Sequence, residues 1–575
     1  MFDALFTTTT EYKKLSHALS GKGACALFGL PASGRAQVYA ALCRQLDKPL
    51  CIVTPGEAEA TRFAADLNTL GIPAAVFPAR DYVLRPIEGT AREYEYRRLA
   101  VLGELVGGRL RAVAVPAEAL TQFTTPKEDF CANTRTLHAG DTLLRDDLLA
   151  ALFGAGYTRR AQVDGPGQFS VRGDIVDIFA PDQKMPVRME FWGDEIDTLH
   201  TFDLTTQRRE DAIDKFYLSP AREVLFGKPA DAAEQLRAFL AKQRGKKKTA
   251  MADCMAADLD LLDGGAVPVN MDKYLAVRYP HPATVLDYFD DPILVAEEPA
   301  SIREADRATA YRRGEELKSL ILDGVLCAGL DNLYADPSYL WSKTGHYRTI
   351  CAENFARSMP DQPLKDIINA PAHTLPAWNG EVAGLLEDLK PLCDAGYTVT
   401  LLAGTDRAAA GLARDLRDKG ILVTTDAAAA PAAGLVQVLA GHLSAGCEFP
   451  FAKYALLTGR AFGETSSQKK KRKKAKDALN SLTEITPGDL VVHQNHGIGR
   501  YAGIQRMAVQ GVTKDYLRIE YDKKDVLYVP VTQLDLLSRY TAPGDSENVK
   551  LSRLGGAEWT KTRKKVRAAT EQMAK

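Results

Sequence analysis

Short apolar runs alternate with amphipathic stretches at the start of the chain. The runs at 24–29, 49–54 and 74–77 have the length of buried strands, and the first ends in a glycine-rich turn. The stretch at 37–46 has helical spacing. This alternation predicts a parallel α/β sheet over about 1–118.

The pattern changes to a period of two over about 119–212. A helix is predicted near 145–153, but the segments FSVRGDIVDIF and PVRMEFWGDEI alternate apolar and polar residues, as antiparallel strands do. We therefore predict an inserted α+β domain built on an antiparallel sheet.

One predicted strand of that domain has an unusual polar face. The apolar residues of 187–192 point to one side, so Arg188, Glu190 and Trp192 point to the other. Arg172, in the preceding strand, can join them. Trp and Arg are enriched at protein interfaces, so this face is a candidate interaction surface. A tryptophan covering a sheet edge beside an internal Arg–Glu pair gives the same pattern, and periodicity does not separate the two.

The rest of the chain divides by pattern into further segments. A mostly helical region with one strand at 293–296 is expected to return to the first module, and a second α/β rhythm starts near 346. The run KKKRKKAK at 469–476 is typical of a solvated linker, and about five short strands after it have the size of a small SH3-like barrel. The expected boundaries are 213–345 (return to the first module), 346–460 (second α/β domain of unassigned role), 461–486 (basic linker), 487–542 (barrel) and 543–575 (helix).

Composition limits the partners and the environment. The chain of 575 residues has 73 basic and 74 acidic residues, so any contact with nucleic acid must be local. Its nine cysteines are scattered without a Cys-x-x-Cys pair, which fits a reducing, cytoplasmic environment. Because no run of 18 apolar residues occurs, we expect no membrane contact.

The turn after the first strand has the spacing of a phosphate-binding P-loop without its chemistry. Gly29 and Gly34 match the glycines of GxxxxGK[ST]. Arg35 stands where a lysine reaches the phosphates, and Ala36, in place of a hydroxyl residue, cannot bind Mg²⁺. A tight turn that needs glycine and a weak nucleotide site are both compatible with this pattern.

Two other patterns are weaker candidates for chemistry. The strand at 293–296 closes on Glu297 and Glu298 and loosely resembles a Walker B strand, although a buried strand followed by exposed acids has the same pattern. His493 and His496 are three residues apart with no acidic or cysteine ligand at metal spacing. We therefore expect turn histidines rather than a zinc site.

Three segments resemble known families. The segment GYTRRAQVDGPGQFSVRGDIVDIFAPDQKMPVRMEFWGDEIDTLHTFD (156–203) is similar to domain 2 of the repair protein UvrB, and more so to its counterpart in transcription-repair coupling factors. The segment at 441–463 resembles the end of the third domain of those factors, and 488–540 resembles the CarD-like RNA-polymerase-interacting domain. The segments follow the order of the transcription-repair coupling factor family, whose N-terminal module has lost the Lys-Thr pair of the P-loop.

The resemblance implies a UvrA-binding surface in the inserted domain. In UvrB and in the coupling factors, the domain-2 face binds UvrA. The matching positions here are Arg172, Arg188, Glu190 and Trp192.

The resemblance also implies a surface for RNA polymerase. In this family the CarD-like domain pairs a strand edge with the polymerase β subunit, and strand addition supplies backbone hydrogen bonds. The matching positions are Ile504, Gln505, Arg506 and Met507. Alternation leaves open whether Ile504 and Met507 are core residues of the barrel instead.

Two functions from different classes follow. The coupling factors continue into an ATP-dependent, helicase-like translocase motor, and this chain stops at Lys575 in what resembles the helix leading to it. The resemblance therefore implies an N-terminal half that binds stalled RNA polymerase and recruits UvrA for nucleotide-excision repair. ATP and Mg would serve the motor, and we expect neither catalytic residues nor metal in 1–575. The alternative is a UvrB-like damaged-DNA-binding ATPase acting on its own, which needs a working P-loop.

DNA is expected to contact mainly the motor. The basic run at 469–476 and the basic C-terminal helix are further candidates for phosphate contacts, because lysine and arginine clusters bind the nucleic-acid backbone. A bare linker and a frayed terminus explain the same residues.

Overall fold

We describe the fold from a computed structural model of the chain. The structure describes residues 7–85, 92–355, 362–378, 382–430, 432–459, 487–493, 496–509, 512–522, 525–530, 537–540 and 551–553. Within these ranges, no helix is both long enough and apolar enough to cross a bilayer. The expected linker at 461–486 lies outside the described residues, as does the expected C-terminal helix apart from 551–553.

A seven-stranded parallel sheet forms the first module. Its strands are mostly apolar, as strands covered on both faces are. Numbered in chain order, they are β1 (Gly23–Phe28), β2 (Leu50–Thr54), β3 (Ala74–Val76), β4 (Ala112–Pro116), β13 (Ile293–Glu297), β14 (Arg348–Glu353) and β15 (Leu364–Asn369). The strand order is β15-β1-β14-β13-β2-β4-β3, which confirms the parallel sheet expected from the sequence.

Helices cover both faces of this sheet. Neighbouring residues of β2 belong to different apolar clusters, Ile52 to one and Val53 to the other, because successive side chains of a strand point to opposite faces. The helices in the first part of the chain are α1 (Thr10–Ala18), α2 (Ala32–Leu46), α3 (Glu57–Thr69), α4 (Glu93–Val106), α5 (Ala117–Leu120) and α6 (Lys127–Ala132).

Two strands within the region assigned from sequence to the second α/β domain lie in the first sheet. β14 pairs with β1 and β13, and β15 pairs with β1. Local alternation identifies a strand but not the sheet that it joins, since the partners are far apart in the chain. The second domain therefore begins beyond Asn369 rather than at 346.

An antiparallel domain is inserted between β4 and β13. Its strands are β6 (Thr158–Arg159), β7 (Gln168–Arg172), β8 (Ile175–Phe179), β9 (Val187–Trp192), β10 (Glu195–Phe202) and β11 (Arg209–Ala212). The strand order is β11-β10-β9-β8-β7-β6, and α7 (Arg145–Gly154) packs on the apolar face. A ribbon of β5 (Arg135–His138) and β12 (Lys215–Leu218) extends the unit beyond 212, whereas Phe130 packs in the first module.

A helical segment returns the chain to the first sheet. It contains α8 (Pro229–Ala241), α9 (Gly245–Asp263), α10 (Leu275–Arg278), α11 (Pro299–Leu322) and α12 (Tyr339–Lys343), with 3₁₀ turns at Met271–Tyr274 and Val285–Tyr288. An apolar core around Leu236, Met255 and Leu330 holds this segment together. The strand expected within it is β13.

The second α/β domain has a six-stranded mixed sheet that docks on the first module. Its elements are β16 (His373–Leu375), α13 (Val382–Asp394), β17 (Thr398–Leu402), α14 (Asp406–Asp418), β18 (Val423–Thr424), β19 (Val436–Leu439), β20 (Gly446–Phe449), a 3₁₀ turn (Pro450–Ala452) and β21 (Tyr454–Thr458). The strand order is β16-β20-β21-β17-β19-β18. Leu443 and Phe449 join the apolar cluster of the first module that contains Ile52.

A five-stranded antiparallel sheet follows 487. Its strands are β22 (Leu490–His493), β23 (Gly497–Val509), β24 (Val512–Glu520), β25 (Val526–Pro530) and β26 (Leu537–Arg539). The order is β25-β24-β23-β22-β26, around a core that includes Val491, Leu517 and Val529. The expected number of short strands is present, and closure into an SH3-like barrel stays a prediction.

Candidate functional site

A buried carboxylate organises the polar face of the inserted sheet. Asp177, on β8, is fully buried and accepts hydrogen bonds from Arg188 at Nε (2.7 Å) and at a terminal guanidinium nitrogen (2.9 Å). Arg172, on β7, donates to the same carboxylate at 2.5 Å. Strand β8 thus lies between the two arginines, so Arg172 is not in the strand directly before Arg188. Both side chains are held by one group that the sequence analysis did not select.

Arg188 lies on the expected face but is largely buried. It is 9 % exposed, stacks over the Phe202 ring at 4.7 Å and donates to the backbone oxygen of Gln207 at 3.0 Å. The hydrogen bond to Asp177 raises the pKa of Arg188. Arg188 therefore supports the face from below, whereas about half of the Arg172 side chain reaches solvent.

Trp192 is the most prominent side chain of this face. It is 82 % exposed at the end of β9, directly before the turn at Gly193. Beside it, Glu190 forms an ion pair with Arg209 and is half-buried. An aromatic side chain so far out of the core contributes little to folding and has the size and rigidity of an interface anchor.

The positively charged residue of the P-loop-like segment is paired with acidic side chains of the same protein. Arg35 is buried and forms ion pairs with Glu297 (3.0 Å) and Glu298 (2.8 Å), and Tyr39 donates to Glu297 at 2.5 Å. Burial raises the pKa of Glu297, and the Arg35 charge opposes that shift. Arg35 is thus engaged by the two acids at the end of β13.

The second α/β domain covers the same segment. A Cβ atom added at Gly34 would lie 2.9 Å from Cys447 Sγ and 3.3 Å from the Phe449 ring, both on β20. Ser444 donates to Asp66 on α3 through its backbone nitrogen (2.8 Å) and its hydroxyl (2.6 Å). Strand β20 of the second domain therefore packs directly against the start of α2.

Strand β23 extends past its neighbour β22. β22 pairs with 497–500, and a further backbone contact joins Gly488 to Tyr501. The segment 504–507 pairs with β24, from Ile504 opposite Leu517 to Met507 opposite Lys514. Within the described residues, the other edge of this segment has no strand partner.

Ile504 lies outside the apolar core of this sheet. It is 45 % exposed, although Leu517 opposite it is fully buried. Ile504 is therefore not one of the buried core residues of this sheet. Gln505 lies opposite Tyr516 in the same register.

The C-terminal sheet contacts the first module through three ionisable side chains. His496 Nε2 lies 3.4 Å from Glu93 Oε1, and the rings of His493 and His496 are 4.7 Å apart. Burial acts to raise the pKa of Glu93, but the hydrogen bond and charges of the histidines hold that pKa at about 2. Burial lowers the pKa of His493 to about 4. The sequence spacing does not connect Glu93 with the two histidines, because Glu93 lies in a different module.

Comparison with known proteins identifies two domains. The family model described as UvrB interaction domain matches residues 136–224, which include the polar face around Trp192. The family model described as CarD-like/TRCF RID domain matches residues 485–541, which include β23. The fold and these matches define a multidomain protein that combines both domains in one chain.

The relatives of the whole chain are transcription-repair-coupling factors. The protein of that name from Bacillus subtilis is 28% identical over 563 residues, covering 95% of this chain and 48% of the relative. Those from Staphylococcus haemolyticus and Staphylococcus aureus are 28% and 26% identical, again over 95% of this chain and 47% of theirs. The chain thus spans about half the length of these curated relatives. The resemblance to the N-terminal region of the transcription-repair coupling factors is confirmed.

Proposed function

We propose that this chain is an adaptor that binds RNA polymerase and UvrA, and so links a stalled polymerase to nucleotide-excision repair. The observation that carries the proposal is the presence of a UvrB interaction domain and a CarD-like/TRCF RID domain in one chain, together with the similarity of 95% of the chain to a transcription-repair-coupling factor. The remaining modules hold these two domains on one scaffold.

The polymerase surface that we propose is the edge of β23 at Ile504, Gln505, Arg506 and Met507. An edge with unpaired backbone groups adds a strand from a partner, and side chains along it supply fit. The support is the one-sided pairing of this segment and the exposure of Ile504. The partner strand would come from the polymerase β subunit.

The UvrA surface that we propose is centred on Trp192. The exposed indole is the anchor, Arg172 is an accessible charge at the same face, and Glu190 forms part of its rim. Arg188 and Asp177 support the geometry from within the sheet. In this proposal, the hydrogen bond to the buried Asp177 fixes the direction in which Arg172 points.

We propose a structural role, without nucleotide, for the segment with Gly29, Gly34, Arg35 and Ala36. The support is that Arg35 is paired with Glu297 and that Phe449 packs against the start of α2 at Gly34. ATP and Mg would act in the translocase activity proposed for the whole protein. DNA contacts through 469–476 concern residues outside the described part of the chain.

The test is a pair of binding titrations with purified bacterial RNA polymerase and purified UvrA. Ile504→Asp introduces a charge at the β23 edge and should weaken polymerase binding at least about tenfold while leaving UvrA binding unchanged. Trp192→Ala should do the reverse, with a loss of about 30-fold for a tryptophan hot spot.

Two further variants test whether replacing any exposed apolar residue weakens binding. Ile367 is 63 % exposed on the edge strand β15, and Tyr311 is 75 % exposed on α11. Ile367→Asp and Tyr311→Ala should bind both partners as the unaltered chain does. The proposal fails if the unaltered chain binds neither partner. The assignment of the two binding surfaces is wrong if the control variants lose as much affinity as the two test variants.

A further inference from the structure

Three side chains with metal-binding chemistry meet where the C-terminal sheet contacts the first module. Glu93 is the first residue of α4, His493 ends β22, and His496 directly precedes β23. One ligand atom from each lies within 4.8 Å of the other two. The cluster combines residues from two separate modules, and no family model above covers all three.

The donor set fits a divalent transition metal ion. Two imidazole nitrogens and one carboxylate oxygen are the protein ligands of many zinc sites, and they leave a fourth position for water. Ligand atoms bound to zinc at about 2.0–2.1 Å in tetrahedral geometry are roughly 3.3 Å apart. The pair His496 Nε2 and Glu93 Oε1 already has this spacing, at 3.4 Å.

The backbone positions the two histidines before any ligand arrives. His493 pairs with Gly497 at the base of the β22–β23 hairpin, and Gly497 has a φ of +84°, which favours glycine. This pairing brings His493 close to His496, the residue directly before Gly497. His493 is fully buried, whereas part of the His496 side chain is exposed, so an ion has an approach from solvent.

We propose that Glu93, His493 and His496 bind a divalent metal ion of the zinc class, which fixes the C-terminal sheet to the first module. The inference does not depend on the proposed function, because it uses neither the Trp192 face nor the segment 504–507. A bound ion would nevertheless affect the proposed function, because it would anchor the start of β23, the strand that carries the proposed polymerase surface.

The experiment is a titration of the full chain, after treatment with a chelator, with Co²⁺ followed by its visible absorption. We expect saturation at one ion per chain, with a spectrum typical of nitrogen and oxygen ligands. Glu93→Gln and His496→Gln keep the side-chain size and should each weaken binding more than about tenfold, since even loss of an outer partner of a metal ligand has effects of this size. Addition of Zn²⁺ should displace Co²⁺ and raise the thermal midpoint of the unaltered chain.

The matched control is His138→Gln. His138 lies 3.5 Å from Asp141 at an exposed site, and no third ligand joins them among the residues that the structure describes, so its loss should leave the Co²⁺ titration unchanged. A chain that shows no saturable absorption overturns the proposal. So does a spectrum typical of thiolate ligands, or a titration that both Glu93→Gln and His496→Gln leave unaffected. If one variant fails to fold, as judged by circular dichroism, the other decides.

Discussion

At the scale of single residues, Asp177 determines how rigidly the polar face of the inserted domain is held. Its carboxylate is fully buried and binds both Arg172 and Arg188. Removing one member of a buried ion pair leaves the other charge uncompensated, at a cost of about 3–5 kcal/mol. In contrast, the more exposed pair of Glu190 with Arg209 should contribute about 0–1 kcal/mol.

We therefore expect Asp177→Asn to destabilise this sheet selectively. Hydrogen exchange measured on peptides from 168–192 should show a loss of about 3–5 kcal/mol in opening free energy, because Arg188 remains buried without its counterion. Glu190→Gln is the control and should change exchange in the same peptides by less than about 1 kcal/mol. Equal effects of the two substitutions would show that Asp177 does not organise the face.

At the scale of elements, the close approach of β20 to α2 depends on the absence of a side chain at Gly34. Gly34→Ala places a Cβ atom 2.9 Å from Cys447 Sγ, so the Cys447 side chain or β20 must shift. Overpacking of this kind costs about 1–3 kcal/mol, which we expect as faster hydrogen exchange in peptides containing 446–449.

A glycine with free space around it provides the comparison. Gly411 lies within α14 and has no atom within 4 Å of an added Cβ. Gly411→Ala should stabilise that helix by about 0.5–1 kcal/mol, because alanine has the higher helix propensity. If Gly34→Ala caused no faster hydrogen exchange than Gly411→Ala, the close contact with β20 would not constrain α2 at Gly34.

Comparison of individual elements shows which features of the structure could be predicted from the sequence and which could not. Apolar runs and period-two alternation predicted β1, β2, β8 and β9, because these patterns are local. The outward direction of Trp192 follows from alternation alone, and the structure agrees. The membership of β14 in the first sheet, the pairing of Asp177 with two arginines and the approach of Glu93 to His496 arise from contacts between distant parts of the chain. No local pattern contains that information.

At the scale of the whole molecule, the second α/β domain gains a role that its sequence did not suggest. Phe449 packs against the start of α2 at Gly34, and Ser444 donates hydrogen bonds to Asp66 on α3. A domain docked in this way stabilises the first module. The segment with the P-loop spacing is thus part of a larger interface between the two α/β domains.

This interface predicts that restoring the P-loop sequence does not restore nucleotide binding. The double substitution Arg35→Lys, Ala36→Thr supplies the lysine and the hydroxyl of the motif, but Glu297 and Glu298 would still engage the lysine, and β20 would still cover the loop. Titration with a fluorescent ATP analogue and Mg²⁺ should show no saturable binding, with a functional P-loop ATPase as the positive control. Adding Phe449→Ala removes part of the cover and separates the two causes. Tight binding by the double variant would mean that the local sequence alone closed the site, and that the docked domain does not block it.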